Sequence, residues 1–468
     1  MNISKTLASQ LGGFYASLDF DSLPEEVVLK AKRVLVDFLA TLAVGFKKGP
    51  LTPVFKHYFI GTGGVAEVTV LGMSKKLPAV NAAFFMGAVA HSVELDDGHR
   101  FGTCHPAVAV IPAALTVGER QQKSFKEVIT AITKGYDMML RIARSINPSH
   151  LNRGFHTTGT AGVFGSAIAC AHLLGMDNLD TTYCLSLAGL QSCGLQEMLH
   201  DHPSIKVMQA GRAASTGIIA GDLVTLGAKS PRTLFEGEHG WLRAMCDQFS
   251  EEALMGELGQ RWEISQTYTK LYPTCRHCHP VLDLAISIRE ELWDIDLSEI
   301  KTINVKTYRV AISEVAEKVI PSSFEEALFS LPFSLAIALR EGDVGLHHFT
   351  PANLRDELLI SIAKKVHITL DQEIDSKYPF HRGAILQIIM NDGKSIKKQT
   401  HLPKGEPELP LTDEELFGKV QRITSPFYQD SFSERLWNII VDSDINQVNY
   451  TEVIALFKEA FNEDKSFN

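Results

Sequence analysis

The chain has 468 residues, 45% of them apolar and 21% charged, with a formal charge of −10. A single core stops growing at about 250–300 residues, so two domains of ordinary globular composition are expected. The acidic balance excludes a partner that needs a basic face, such as nucleic acid or an anionic membrane, yet leaves room for a small anion in a local basic pocket.

The N-terminal stretch MNISKTLASQLGGFYASL has no basic region followed by a continuous apolar run. It reads as an amphipathic helix rather than a signal peptide. No stretch reaches the roughly 18–20 uncharged residues of a membrane span. The seven cysteines are odd in number, and several sit in apolar helical text. A reducing, cytoplasmic location is therefore expected.

Leu23-Pro24-Glu25-Glu26 is a helix start, with Pro near the first turn and acids at the positive end of the dipole. Apolar residues then recur at helical spacing through Val27, Val34, Leu35, Phe38 and Leu42. Helical text continues over 80–95, 106–122, 125–146, 157–175, 179–198, 209–227 and 251–258. Much of it is rich in Ala, Gly and Ser, which lets helix backbones approach closely. Gly159, Gly162 and Gly165 mimic a phosphate loop, but no GK[ST] follows and no clear strand precedes, so helix packing is expected.

The texture changes near 268. Ile300–Val310 alternates like a strand, and Ala384–Met390 with Ser395–His401 flank the hairpin turn Asn391-Asp392-Gly393. Helices are expected around 281–293, 323–341 and 351–364, and again over Leu411–Ile423, Ser433–Val441 and Val448–Phe461. The reading is mainly α: a large all-helical domain from 1–267 and 403–468, with a smaller α+β domain, 268–402, inserted.

Four segments concentrate ionisable residues in apolar text. The first, HSVELDDGHRFGTCHP, carries Glu94, Asp96, Asp97, Arg100 and His105 between two apolar helices. His105 precedes Pro106 at a helix start, where the positive helix end disfavours an imidazolium and favours the neutral form a base needs. Arg100 is a candidate two-pronged carboxylate ligand. The competing reading is that the Asp pair and His105 are helix caps. In the second segment His156 stands before a small-residue helix in the same way, and acid–base chemistry needs a pair. The third offers Lys206 and Arg212, either surface charge or an anion site for a polycarboxylate. The fourth, KLYPTCRHCHP, holds Lys270, Tyr272, His277 and His279, with Cys275 and Cys278 at CxxC spacing. Zinc must be considered there, but no second ligand pair with matching spacing exists.

These segments, together with GFHTTGTAGVFG, the Lys206–Gly211 stretch and FEGEHGW at 235–241, resemble the MmgE/PrpD family over essentially the whole chain. That family includes 2-methylcitrate dehydratase, cis-aconitate decarboxylase and iminodisuccinate epimerase. The resemblance implies a helical domain with an inserted α+β lid, an active site between them, a homodimer, and a metal-free mechanism without a cofactor. It implies pocket roles for His105, His156, Lys206, Lys270 and His279, and matches Asp96 and Asp97 to the family's DD pair. Two departures bear on the member: Glu94 and Gly98 stand where the decarboxylase pattern has Asp and Thr, and the chain is one residue longer before His105. The spellings ELDDGHR and RHCHP are closer to the bacterial members, including the epimerase-like branch.

The preferred expectation is proton removal next to a carboxylate of a di- or tricarboxylic acid, by His105 or His156, in a dehydratase-type lyase. Lys206, Lys270 and Arg100 are the candidate cations, and the other His or the Asp96/Asp97 pair the second acid. Glu94, Arg100, Arg212, Tyr272 and His279 are the candidate substrate-binding residues. Epimerase and decarboxylase outcomes remain open, as do a zinc-dependent hydrolase using Cys275, Cys278, His277 and His105, and a non-catalytic binding protein.

Overall fold

The computed structural model describes residues 5–73, 75–199, 203–291, 296–448 and 450–462. The chain divides into two units. One contains the described residues of Met1–Ser92, Asp96–Thr267 and Leu416–Asn468, the other Val93–Leu95 and Tyr268–Glu415. The fold is mainly α with a small α+β part.

The helical unit contains α1 (Leu7–Ser17), α2 (Glu25–Lys48), α3 (Thr52–Thr62), a short hairpin of β1 (Val68–Thr69) and β2 (Lys76–Leu77), α4 (Ala79–His91), α5 (Ala107–Arg120) and α6 (Phe125–Ile146). It continues through α7 (Ser149–Asn152), α8 (Thr157–Leu173), α9 (Asn178–Gly189), α10 (Val207–Thr225), α11 (Trp241–Met245) and α12 (Glu251–Met255). α2 carries Glu25 and Glu26 in its first turn and Lys47 and Lys48 in its last, complementing its dipole. Residues Val34 to Phe46 are all buried, so α2 is a core helix rather than a surface one.

The small-residue text does what its composition predicts. A Cβ on Gly162 of α8 would lie 2.8 Å from the Ala109 methyl of α5 and 3.0 Å from that of Ala213 in α10. One on Gly165 would lie 2.7 Å from the Gly135 carbonyl of α6. Glycine is what lets α8 lie against three neighbours at backbone distance, and this motif is helix packing, not a phosphate loop.

After the second unit the chain returns to the helical one through the end of α19 (Asp413–Thr424), α20 (Asp430–Trp437) and α21 (Tyr450–Asn462). Buried Lys419 pairs with Asp37 of α2, and the Tyr428 hydroxyl donates to the Ala43 carbonyl at 2.7 Å. Among the described residues no helix is long and apolar enough to cross a membrane.

The α+β unit contains α13 (His279–Glu291), β3 (Ile300–Thr307), α14 (Arg309–Val315), α15 (Phe324–Leu328), α16 (Leu331–Glu341), α17 (Glu357–Lys364), β4 (Val366–Leu370), α18 (Gln372–Ser376), β5 (Ala384–Met390) and β6 (Ser395–Thr400). The sheet order is β4-β3-β5-β6, with β3 and β4 parallel and the other pairs antiparallel. Its core joins Ile303, Val305, Leu386 and Ile388 of the sheet to Leu282, Ala285 and Ile288 of α13 and Phe333 and Leu335 of α16. The turn at Asn391-Asp392-Gly393 forms as read, with Gly393 at φ +87°.

Several boundaries differ from the sequence reading. The helix expected over 80–95 stops at His91, because Glu94 adopts φ +53° and turns the chain. The one expected over 179–198 stops at Gly189. The single helix expected over 323–341 is two, α15 and α16, each started by a capping serine, Ser323 and Ser330. Pro332 sits in the first turn of α16, where its missing N–H costs nothing. The helix expected from 351 starts at Glu357, capped by Asp356. α3, the β1–β2 hairpin and β4 were not expected; β4 is five residues whose parallel partner is over sixty positions away in sequence.

Candidate active site

In the helical unit the polar segment after α4 folds back on that helix. The Asp96 carboxylate accepts from His91 Nδ1 at 2.9 Å, and His105 Nδ1 lies 3.2 Å from the same oxygen. His105 Nδ1 also lies 2.7 Å from the Asp97 main-chain carbonyl. A carbonyl only accepts, so His105 carries its proton on Nδ1 and presents the lone pair of Nε2. His91 and Asp96 are fully buried, whereas the His105 side chain keeps 17% exposure. The His105 backbone N–H donates to Thr158 Oγ1 at 3.1 Å, tying the start of α5 to that of α8.

His156, the residue before α8, makes no side-chain cap bond. Its Nδ1 donates instead to Gln209 Oε1 of α10 at 2.7 Å. The Gln209 amide nitrogen donates to the Leu195 carbonyl, which fixes the amide's orientation, so His156 too holds its proton on Nδ1 and exposes the Nε2 lone pair. Burial holds His156 neutral, reinforced by the Lys206 ammonium. Burial also lowers His91 to about 4, against the pull of Asp96 and with help from Lys206. For Asp96 burial acts to raise the pKa, but His91 and His105 outweigh it and hold the carboxyl well below its ordinary range. Lys206, buried at the N-terminal end of α10, thus sets the field on both buried imidazoles.

The remaining predicted residues of this unit have other partners. Asp97 accepts the Ala107 N–H at the start of α5 at 3.1 Å and the Tyr136 hydroxyl at 3.0 Å. It accepts a free N–H at the start of α5, and burial raises its pKa to about 7. Arg100 is buried with its guanidinium 4.9 Å from the Phe101 ring centroid. Arg212 donates to the main-chain carbonyls of Gln191, Gly159 and Cys193. The fork ties the 191–193 loop to α8, because three carbonyls converge where one cation satisfies them all.

In the α+β unit Lys270 Nζ pairs with Glu94 Oε2 at 2.8 Å, both buried. Glu94 makes this contact from its left-handed backbone conformation, a local cost borne for the sake of the pair. Tyr272 donates to Asp283 Oδ1 at 2.8 Å. Arg276 donates to Glu406 Oε1 at 3.1–3.2 Å and to His279 Nδ1 at 3.0 Å. His277 Nδ1 meets the Tyr308 hydroxyl at 2.6 Å, and burial with the cations Arg382, Lys270 and Arg276 keeps it neutral.

Two groups of side chains have metal-compatible spacing among the described residues: His91, Asp96 and His105 in the helical unit, and Asp343, His347 and His348 in the other. In the first, both Nδ1 atoms serve as N–H donors, to Asp96 and to Asp97, so a cation at Asp96 would require the rings to give up those bonds. In the second, His348 Nδ1 already accepts the Gly345 N–H at 3.0 Å, which leaves the proton on Nε2. The CxxC pair joins neither group. Burial raises Cys275 to about 11 and Cys278 well above its usual value, so both are neutral thiols.

Sequence reasoning missed His91, Gln209, Arg276, Arg382 and Glu406 as members of these clusters. His91 ends an apolar helix and lies five residues before Asp96, a spacing no motif singles out. Arg276 and Glu406 are 130 positions apart.

The sequence comparisons say to which class this mainly helical fold, with a carboxylate buried between two imidazoles, belongs. The chain belongs to the MmgE/PrpD family: the MmgE/PrpD N-terminal domain matches residues 9–253 and the MmgE/PrpD C-terminal domain residues 272–445. It is 25% identical to a cis-aconitate decarboxylase of Aspergillus terreus over 95% of this chain and 94% of the relative. It is also 25% identical to the cis-aconitate decarboxylase of Homo sapiens over 94% and 91%, and 24% identical to that of Mus musculus over 89% and 86%.

Proposed function

We propose that this chain is an enzyme that removes a proton from the carbon next to a carboxylate of a di- or tricarboxylic acid, acting as a dehydratase-type lyase. The observation that carries the reading is the fixed tautomer of His105, with Nδ1–H directed at the Asp97 carbonyl and Asp96, and Nε2 left to accept a proton. A proton taken at Nε2 makes an imidazolium, and the adjacent Asp96 carboxylate stabilises it.

The carbon acid is weak, so the charge that develops on the substrate carboxylate needs a cation. Lys206 is the candidate in the helical unit. The protonated His105 then returns its proton to the leaving hydroxyl, which departs as water while the electron pair of the broken C–H bond forms the double bond. His156, with its own Nε2 lone pair, is the second base that an epimerisation would require.

Decarboxylation is the second reading, favoured by the names of the relatives. Glu94 and Gly98 depart from the pattern of those enzymes, which is why dehydration stands first. Both outcomes share proton transfer at the same carbon.

The test is an NMR screen for deuterium incorporation from D2O at the carbon next to a carboxylate, run with 2-methylcitrate, citrate, cis-aconitate, malate and iminodisuccinate. Product analysis separates loss of water, loss of carbon dioxide and epimerisation. His105→Gln is expected to abolish exchange with its fold intact. Exchange at the native rate in that variant, or none with any acid, would sink the assignment.

A further inference from the structure

Two imidazoles hold one oxygen of Asp96, and only one of them, His105, has a part in the proton transfer. His91 Nδ1 lies 2.9 Å from Asp96 Oδ2 and His105 Nδ1 lies 3.2 Å from the same atom, with the ring centroids 4.8 Å apart. Among the described residues no other donor reaches this carboxylate, and its buried Oδ1 has no partner. His105 directs its Nδ1 proton mainly at the Asp97 carbonyl, 2.7 Å away. While His105 is neutral, the shorter contact to Asp96 is therefore that of His91.

A buried carboxylate stays ionised only where donors or cations outweigh its lost hydration. Burial works against the Asp96 charge, and His91 with His105 outweighs it. The other charged groups that act on this cluster are Asp97, Lys206 and, from α2 and α19, Asp37 and Lys419. Asp37 and Lys419 are bonded to each other, and none of the four is bonded to the Asp96 carboxylate. His91 is fully buried at the end of α4, and its Nε2 has no partner among the described residues. An apolar side chain at this helix end would leave no ring nitrogen unsatisfied, so what the imidazole adds is its Nδ1–H.

We infer that His91 is a positioning residue for the proton transfer: its Nδ1–H fixes the Asp96 carboxylate against His105, in place for the imidazolium that forms there. The role rests on the reading of His105 as the base. His91 acts through Asp96 and takes no proton from the substrate itself.

Asparagine and glutamine separate this role from packing. The Asn amide nitrogen takes the position of imidazole Nδ1, and the Gln amide nitrogen that of Nε2. In the deuterium-exchange assay His91→Gln is expected to lower kcat at least about tenfold with KM within about twofold, and His91→Asn to keep kcat within about threefold of the unsubstituted chain. A second readout needs no turnover. In full-length protein carrying isotopically labelled histidine, the Nδ1–H signal of His105 is identified in NMR spectra by its loss in His105→Gln. That signal should move in His91→Gln and hold its place in His91→Asn. It can be read whether or not any acid is turned over, so a failed base and a failed positioning contact give different results. Equal loss of kcat in the Asn and Gln variants, or a His105 signal that stays put in His91→Gln, would overturn the inference. Should His91→Gln not fold, Asp96→Asn decides: the Nδ1–H signals of His91 and His105 should both move, and a His91 signal that does not would sink the proposal.

Discussion

Two polar clusters, one in each unit, treat buried charge differently. In the polar cluster after α4 of the helical unit the conspicuous groups are imidazoles, and burial keeps His91 and His156 neutral while Asp96 is held ionised. In the α+β unit the conspicuous groups are cations, Lys270, Arg276 and Arg382, set against Glu94 and Glu406. The contrast follows from what each side chain can do. An imidazole can shed its charge when buried, whereas a guanidinium stays charged and has to be paired.

The largest expected effect tests the proton-handling side. His105→Gln should lower kcat by about 10²–10⁴-fold, the usual contribution of a positioned general base, while the melting temperature moves by only a few degrees. A comparable fall in the melting temperature would make His105 a structural residue and erase the contrast. The next tests the charged side. Lys270→Met leaves Glu94 buried without its cation and should cost about 3–5 kcal/mol in denaturant unfolding. Adding Glu94→Gln should recover most of that loss. A single-variant cost below about 1 kcal/mol would mean that Glu94 is neutral in the fold and the unit is not built on paired charge.

A third prediction uses pH. The folded pKa of His91, about 4, lies below its unfolded value of 6.5, so the unfolded chain binds more protons between those values. Stability from the neutral ring is therefore present above pH 6.5 and lost as pH falls toward 4. Asp97 acts in the opposite sense, since its folded pKa of about 7 makes stability decline as pH rises from about 4 to about 7. The difference between His91→Gln and the unsubstituted chain removes the Asp97 contribution. That difference should shift by about 3 kcal/mol between pH 6.5 and pH 4, the variant losing less on acidification. A pH-independent difference would mean that His91 is not held neutral. The smallest effect concerns Arg212. Arg212→Lys should cost about 1–2 kcal/mol, since one ammonium cannot reach three carbonyls, and leave KM unchanged. A raised KM would return Arg212 to the substrate.

The sequence by itself determined the elements whose information is local. Helical periodicity found α2 and α6, the glycine spacing of α8 announced close packing, and Asn391-Asp392-Gly393 marked its hairpin. The chemistry of four polar segments was legible because ionisable residues are conspicuous in apolar text. Tertiary structure alone decided what each of those residues touches. Asp97 became a cap for α5 and Arg212 a tie for three carbonyls, although both look like site residues in the sequence. His91 joined Asp96 because Glu94 turns the chain through a left-handed conformation that no propensity favours. Arg382 and Glu406 met Arg276 across more than a hundred positions. Periodicity reports the face a residue shares with near neighbours, whereas partners and pKa values are set by burial and charge brought together from distant parts of the chain.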